Sequence, residues 1–412
     1  MSQTVAAPRP PSRFASGTSA QSRERWIQGR VGIAWGLLVL NVLTFVPKQS
    51  VLPIPTSLGK AITQGSLPLA LIVALSVNRK IVVHPNVFLC LVSLLAVEAV
   101  ITSLQAQHLI GTGYRTFRLA EFVVALWLLT PFWGRSDLLL ARCHLKAMGV
   151  ALGSVLIGLL VSPGHAIITG RLSGAIWPMP PTQVAHYAAV TAGLVIVLWL
   201  CDHRRGLSTL LVVMVAVGII LLTHTRTALV GMIAGTLVAS LSLIVAKARV
   251  RRMFAAAGAI VTVAIVTLSG VITSWLVRGE DQQQLTGLSG RTNFWGPLLA
   301  FPRDRFQEIF GFGLSNDSFN GLPIDSNWFA SYQDQGLFGV AVCAAMVVFL
   351  FVTAYFQPRG VQRALALFLV TYCLVASFTE VGFTGASTYL LDMTVAASLL
   401  VPASARWRPA SV

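Results

Sequence analysis

Residues 207–222 read LSTLLVVMVAVGIILL, and this stretch decides the fold class. It carries no charged side chain and is apolar on every face of a helix, and further blocks of about this length recur along the chain. A helix needs about 20 apolar residues to cross a bilayer, whereas a barrel strand alternates apolar and polar positions. The pattern therefore predicts membrane-spanning helices and argues against a membrane barrel.

The composition of the 412-residue chain supports the same fold class. Hydrophobic residues make up 55% and charged residues only 11%, with a mean hydropathy of +0.75. Soluble domains carry about 25% charged residues. A single soluble globule, a disordered protein and a fibrous repeat are therefore excluded. None of the five cysteines has CxxC spacing, so we predict neither a disulfide nor a zinc site.

We predict an all-α, polytopic membrane protein with about 12 transmembrane helices. The spans are expected at residues 31–47, 66–77, 82–104, 119–133, 147–162, 184–201, 207–222, 227–246, 253–277, 336–356, 364–381 and 388–402. The short second span can begin at Leu58 and give a bent helix. Residues 1–30 and 403–412 are predicted cytoplasmic tails, the first of them flexible. Residues 278–335 form one long extracytoplasmic loop, predicted to contain short helices and the catalytic site.

The net charge of +16 has two interpretations, nucleic-acid binding or membrane topology. Basic residues favour cytoplasmic loops. With the N-terminus inside, the predicted inside segments hold 20 of the 30 Lys and Arg residues, which supports the topology and argues against a nucleic-acid partner. The other ten are Lys48, Lys60, Arg115, Arg118, Arg171, Arg226, Arg278, Arg291, Arg303 and Arg305.

Several chemistries lack their sequence motifs. There is no GxxxxGK[ST] phosphate loop and no DxD pair, and the seven histidines do not pair at metal-ligand spacing. We therefore predict no metal and no cofactor. The inside loops are too short to fold as a catalytic domain, so any chemistry is expected at the outer face.

Two outer segments carry arginines in polar settings. Arg226 lies in Thr223–Thr227 (THTRT), where it is either a functional cation at the membrane boundary or a side chain that snorkels to water. Arg291 follows Ser289, a suitable N-cap for a short helix over residues 291–300. A cation at a helix N-terminus is locally unfavourable, so either an anionic ligand or a lipid phosphate is expected beside Arg291.

Polar residues elsewhere complete the candidate site. Asp325, in the segment PIDSNW before a span, is either a helix cap or a catalytic carboxylate. Arg115 and Arg118 lie on adjacent turns with Glu121, as an ion pair would. Further candidates are Arg171, Asn327 and Glu380, while Glu98 and Asp392 lie in spans and need partners. Gly231–Gly235 (GMIAG) predicts a helix-packing surface.

The order of these motifs resembles the O-antigen ligase and O-antigen polymerase superfamily. The resemblance covers about residues 171–402 and rests on TRTA at 225–228, SGR-x-x-x-W at 289–295, GFG at 311–313, DSNW at 325–328, GLFG at 336–339 and SFTE at 377–380. It implies a bacterial plasma-membrane glycosyltransferase. Such enzymes transfer a glycan from an undecaprenyl-diphosphate donor to a glycan, lipid or protein acceptor, without a metal or nucleotide sugar.

The resemblance also implies residue roles. Arg226 and Arg291 match the arginines expected to hold the diphosphate, and Arg115, Arg118, Arg171, Asn327 and Glu380 are expected to bind substrate. Family ligases often carry His-Asn where this chain has Ser326-Asn327, so the general base and the choice between ligase and polymerase stay open. We expect Asp325 to act as the base. The alternative function is a transporter or flippase of a lipid-linked or anionic solute, whose arginines would form a gate.

Overall fold

The computed structural model describes residues 15–46, 50–104, 109–203, 206–244, 250–251, 292–314, 318–319 and 321–402. The helices are α1 Ala15–Asn41, α2 Thr56–Val77, α3 Val87–Ser103, α4 Leu109–Leu128, α5 Leu139–Val161, α6 Pro163–Ala166, α7 Pro181–Leu200, α8 Leu207–Thr223, α9 Arg226–Leu243, α10 Thr292–Ala300, α11 Arg305–Phe310, α12 Asn327–Phe356, α13 Val361–Ala376 and α14 Thr388–Leu399. Two antiparallel strand pairs join β1 (Ile167–Ile168) to β2 (Arg171–Leu172) and β3 (Ser318–Phe319) to β4 (Leu322–Pro323). The predicted helical class is confirmed.

Within these described ranges, five helices are long and apolar enough to cross a membrane: α2, α5, α7, α9 and α12. Three shorter helices, α3, α8 and α13, are also apolar. The chain therefore has the helices of a membrane protein. The predicted span 253–277 and the loop residues 278–291 lie outside the described residues, so the count of 12 spans stays a prediction.

Several helices begin earlier than the hydropathy pattern predicted, among them α1 and α2. Helix α1 starts at Ala15, inside the segment predicted to be a flexible tail. Polar contacts order this segment, because Glu24 pairs with Arg135 and the Gln28 side-chain amide donates to Asp137 over 3.3 Å. Helix α2 starts at Thr56, close to the earlier start proposed at Leu58. Hydropathy detects the apolar part of a helix and misses its polar extension.

The core is built around α7, which packs against α5, α8, α9 and α13. Its Gly193 lets Phe368 of α13 approach so closely that a Cβ there would lie 1.9 Å from Phe368 Cζ. Gly235 of α9 packs against the carbonyl oxygen and ring edge of Phe368, and Gly231 contacts Tyr372. The predicted helix-packing role of Gly231 and Gly235 is thus confirmed, with α13 as the partner.

Helix α12 breaks at Gly336, where φ is +62°. This is the predicted boundary between the long loop and the tenth span. A Cβ at Gly336 would lie 2.4 Å from the carbonyl carbon of Ile309, and one at Gly311 (φ +73°) would lie 2.4 Å from that of Asp334. The two glycines therefore let the end of α11 dock against the break in α12.

Helices α1 and α2 are antiparallel, and their contacts define two ends of the bundle. At one end the Asn41 amide donates to the Thr63 carbonyl over 2.8 Å. At the other end Arg30 donates to the Ser76 hydroxyl, also over 2.8 Å. We call these the Asn41 end and the Arg30 end.

We expect Gly193→Val to destabilise the fold strongly, because its side chain would overlap Phe368 in a closed core. Overpacking typically costs about 1–3 kcal/mol. Gly218→Val on α8 is the matched control, since a Cβ there meets no atom within 4 Å. Unfolding of both variants in mixed detergent would measure the difference. Equal stability of the two would contradict the packing of α7 on α13.

Candidate functional site

A polar cavity of about 570 Å³ lies at the Asn41 end of the bundle. Helices α1, α2, α4, α7 and α14 border it together with residues 380–387, just before α14. Charged and polar side chains line its wall, among them Lys60, Arg118, Gln183, His186, Glu380 and Tyr389. Two predicted substrate-binding residues, Arg118 and Glu380, are therefore brought to one cavity.

Arg118 is held in place by the end of α1. Its Nε and Nη2 donate to Asn41 Oδ1 over 3.2 and 3.0 Å, and Nη2 also donates to the Asn41 carbonyl over 2.8 Å. The predicted pairing along α4 with Glu121 is replaced by this contact to α1. Arg115 lies three residues earlier on α4, half-buried and away from the cavity wall. The fork of Arg118 is thus oriented by neutral oxygens, which leave its charge uncompensated at these contacts.

Arg171 braces the turn that starts α9. From β2 its Nε donates to the Thr223 carbonyl over 2.9 Å, and its Nη2 donates to Thr225 Oγ1 over 3.2 Å. Burial lowers the pKa of Arg171, and the nearby charge of Glu380 acts in the opposite direction. Arg226 follows this turn directly, as the half-buried first residue of α9. Arg171 therefore sets the position of Arg226 through the backbone.

The same turn is tied to the segment that carries Glu380. Thr227 Oγ1 lies 2.7 Å from Thr379 Oγ1, so the start of α9 contacts the residue just before Glu380. The structure thus brings Arg171, the residues flanking Arg226, and Glu380 into one neighbourhood beside the polar cavity.

Asn327 holds this segment from the other side. Its side chain is fully buried, and Oδ1 accepts hydrogen bonds from the backbone N–H groups of Gly382 (3.2 Å) and Phe383 (2.8 Å). The predicted substrate-binding residue Asn327 therefore positions the segment next to Glu380. Two residues earlier, Asp325 is half-buried and does not line the polar cavity.

The second predicted arginine, Arg291, lies outside the described residues. The helix expected after it is present as α10, which begins at Thr292 and ends at Ala300. The short helix predicted over residues 291–300 is confirmed over residues 292–300.

A buried network behind the cavity was not predicted. Asp392 of α14 is fully buried, with Oδ1 2.6 Å from His144 Nε2 and Oδ2 3.0 Å from His186 Nε2. Trp35 Nε1 can only donate, and it lies 3.2 Å from His144 Nδ1. His144 Nδ1 therefore accepts from Trp35, and its Nε2 faces Asp392. The Tyr372 hydroxyl lies 3.3 Å from His186 Nδ1.

Both carboxyl oxygens of Asp392 thus lie within 3.0 Å of an imidazole nitrogen. A buried carboxyl group without polar partners carries a large desolvation cost. The two imidazoles therefore account for the burial of Asp392. Sequence reasoning noted that Asp392 needs a partner. The partners come from two other helices, so sequence spacing gave no signal for them.

The cavity wall carries more positive than negative charge, because Lys60 and Arg118 line it together with the single carboxylate of Glu380. Such a wall suits an anionic ligand, and an arginine fork suits phosphate oxygens in particular. Among the described residues, no group of three or more His, Cys, Asp or Glu side chains could hold a metal ion. No protein-family model matches the chain, and the search of curated proteins found no match either.

Proposed function

We propose that this chain is a membrane glycosyltransferase. It transfers a glycan from a polyprenyl-diphosphate carrier to a hydroxyl group of a glycan, lipid or protein acceptor, as an O-antigen ligase or polymerase does. The observation that carries the proposal is the cation-rich polar cavity at the Asn41 end, with Arg118 and Lys60 on its wall. Arg226, which follows the turn held by Arg171, is a further cation beside this cavity.

The arginines supply the chemistry of the leaving group. Departure of the carrier diphosphate develops negative charge, which bidentate arginines stabilise without a metal. We assign this role to Arg226 and Arg291. Arg118 orients the donor from the cavity wall, and Arg171 orients the turn that carries Arg226. Neither a metal nor another cofactor is part of this proposal, and the partners are the donor, the acceptor and membrane lipids.

The acceptor hydroxyl must lose a proton as the new bond forms. We assign the base to Asp325, whose neighbours approach the segment at Glu380. Ile324 and Val381 share one apolar cluster, and Asn327 binds the backbone at 382–383. Attack from the side opposite the diphosphate would invert the anomeric carbon, as in single-displacement glycosidases. Glu380 is the rival base, because it lines the cavity itself.

We further propose a multi-pass protein of the bacterial plasma membrane, with twelve spans and both termini cytoplasmic. The Asn41 end would then face outward, where the carrier presents its glycan. The grouping of contacts supports this orientation. Arg30 and Arg135, both predicted inside, contact residues of the Arg30 end. Arg171 contacts Thr223, which is predicted outside, and Arg118 contacts Asn41 in the outer half of the first predicted span.

The second candidate is a transporter or flippase of a lipid-linked or anionic solute. The buried His144–Asp392–His186 chain favours it, because such chains carry protons in membrane pumps. Purified protein in detergent separates the two functions, since transport cannot register there. Formation of glycosylated acceptor from a polyprenyl-diphosphate-linked glycan supports the transferase. If folded protein makes no product in detergent but takes up the solute after reconstitution into vesicles, the result would support the transporter.

Cysteine labelling tests the orientation. Lys60 lies near the start of α2 and Arg79 lies two residues after its end, about 28 Å away at 1.5 Å per residue. In a variant without the five native cysteines, we expect Lys60→Cys to react with an impermeant maleimide in intact cells. Arg79→Cys should react only after the cells are permeabilised, which also controls for its accessibility. The opposite pattern would place the cavity on the cytoplasmic side.

The arginine clamp predicts a loss of turnover. Arg226→Ala and Arg291→Ala should each lower glycan transfer by at least about 100-fold, since loss of one preorganised donor costs about 10²–10³ in rate. Lysine should rescue only in part, because it lacks the planar fork. Arg305→Ala, an exposed cation on α11, is the matched control and should retain wild-type transfer. Wild-type rates in both alanine variants would refute the clamp.

The base assignment predicts that Asp325→Asn lowers transfer at least about 100-fold while donor binding persists, because general-base assistance is worth about 10²–10⁴-fold. Asn caps helices as well as Asp does, so a purely capping Asp325 would tolerate the change. Asp304→Asn provides that comparison, since Asp304 Oδ1 caps α11 by accepting from the Gln307 N–H over 2.7 Å. Normal turnover in Asp325→Asn with an inactive Glu380→Gln would move the base to Glu380.

A further inference from the structure

A second cavity, of about 750 Å³, runs as a groove between α1 and α5. We call it the α1–α5 groove. Its floor is open because α1 presents glycines there: a Cβ at Gly29 or Gly36 would meet no atom within 4 Å. Its rims are apolar and exposed, with Ile33 at 56% and Val150 at 75% of their full accessibility.

Hydrocarbon is the expected filling of such a groove in a bilayer. Exposed apolar rims on membrane-length helices face lipid, and water gains no hydrogen bonds on an apolar floor. The groove therefore accommodates an acyl chain. Which lipid it prefers depends on the polar groups at its ends.

Three cations line the groove at the Arg30 end. Arg142 and Lys146 lie four residues apart on one face of α5, and Arg25 of α1 lies opposite them. All three are exposed, and Arg142 Nη2 is 3.8 Å from Asp137 Oδ2. Basic clusters between transmembrane helices bind anionic headgroups.

The glycine-lined part of the groove has the length of one lipid leaflet below these cations, and the groove continues beyond it to Leu43. From Arg25 to Gly36, α1 rises about 16 Å at 1.5 Å per residue. Half of the hydrocarbon core is about 15 Å thick. A headgroup held by Arg25, Arg142 and Lys146 would thus place its acyl chain along the glycine floor.

We propose that the α1–α5 groove is a binding site for an anionic phospholipid, with the headgroup on Arg25, Arg142 and Lys146 and an acyl chain over Gly29, Gly32 and Gly36. The site lies at the end of the bundle opposite the polar cavity and is independent of the function proposed for that cavity. Its ligand is a structural lipid of the leaflet at the Arg30 end.

Binding of phosphatidylglycerol and phosphatidylcholine to the purified, detergent-solubilised protein tests the site, with native mass spectrometry as the readout. The wild-type protein should retain phosphatidylglycerol preferentially. The double variant Arg142→Ala/Lys146→Ala should bind it about 25-fold more weakly, at about fivefold for each cation removed. The control Arg79→Ala/Lys80→Ala removes two exposed cations outside the groove and should bind normally.

A filling variant tests the acyl-chain position separately. Gly36→Leu should lower occupancy by both lipids, whereas Gly149→Leu, on α5 but outside the groove, should not. Equal affinity of the wild-type protein for the two lipids would overturn the proposal. So would equal losses in the two double-alanine variants, or displacement of phosphatidylglycerol by a polyprenyl phosphate at equimolar amounts. Glycan transfer plays no part in the readout, so its outcome does not affect this test.

Discussion

The burial of Asp392 is the constraint on which the rest of the bundle depends. A carboxyl group fully buried among apolar helices needs polar partners. Two imidazole nitrogens lie within 3.0 Å of it, from His144 on α5 and His186 on α7. Trp35 of α1 and Tyr372 of α13 hold the outer sides of the two imidazoles. One carboxyl group therefore fixes the mutual positions of five helices, including α14, and loss of any member would leave another buried polar group without its partner.

This network also determines what the polar cavity presents to a ligand. The His186 imidazole lies between Asp392 and the cavity wall. Its ring centroid is 4.4 Å from that of Tyr389, which also lines the cavity. The segment after α13 completes the wall, and it has little structure of its own. Thr227 and Asn327 hold it at either side of Glu380. The site is thus a loop segment clamped between rigid helices, an arrangement that suits the binding of a substrate between a fixed donor pocket and an incoming acceptor.

The helical class and most helix positions follow from the sequence because burial in lipid imposes one simple rule, a long apolar run. Helix α8 shows this clearly, since it occupies residues 207–223 against the predicted 207–222. The polar first half of α1 does not follow this rule. Specific contacts order it instead, such as the ion pair of Glu24 with Arg135. Sequence singled out Arg118, Arg171 and Glu380 as outer polar residues. It could not tell that Arg118 is oriented by Asn41, or that Arg171 serves the turn at Thr223, because both contacts join segments far apart in the chain.

The way Arg118 is held bears on function more directly than its charge alone. Its hydrogen bonds go to the amide and carbonyl oxygens of Asn41, which orient the guanidinium and leave its charge in place. A fold optimised only for stability would pair a half-buried arginine with a carboxylate or replace it with an apolar residue, since an uncompensated charge near lipid is costly. Glu380 is a single carboxylate facing Lys60, Arg118 and His186 across a wide cavity. The remaining positive charge is stabilised when an anion enters, so the cost of burying these cations is offset by binding of a phosphate-bearing ligand.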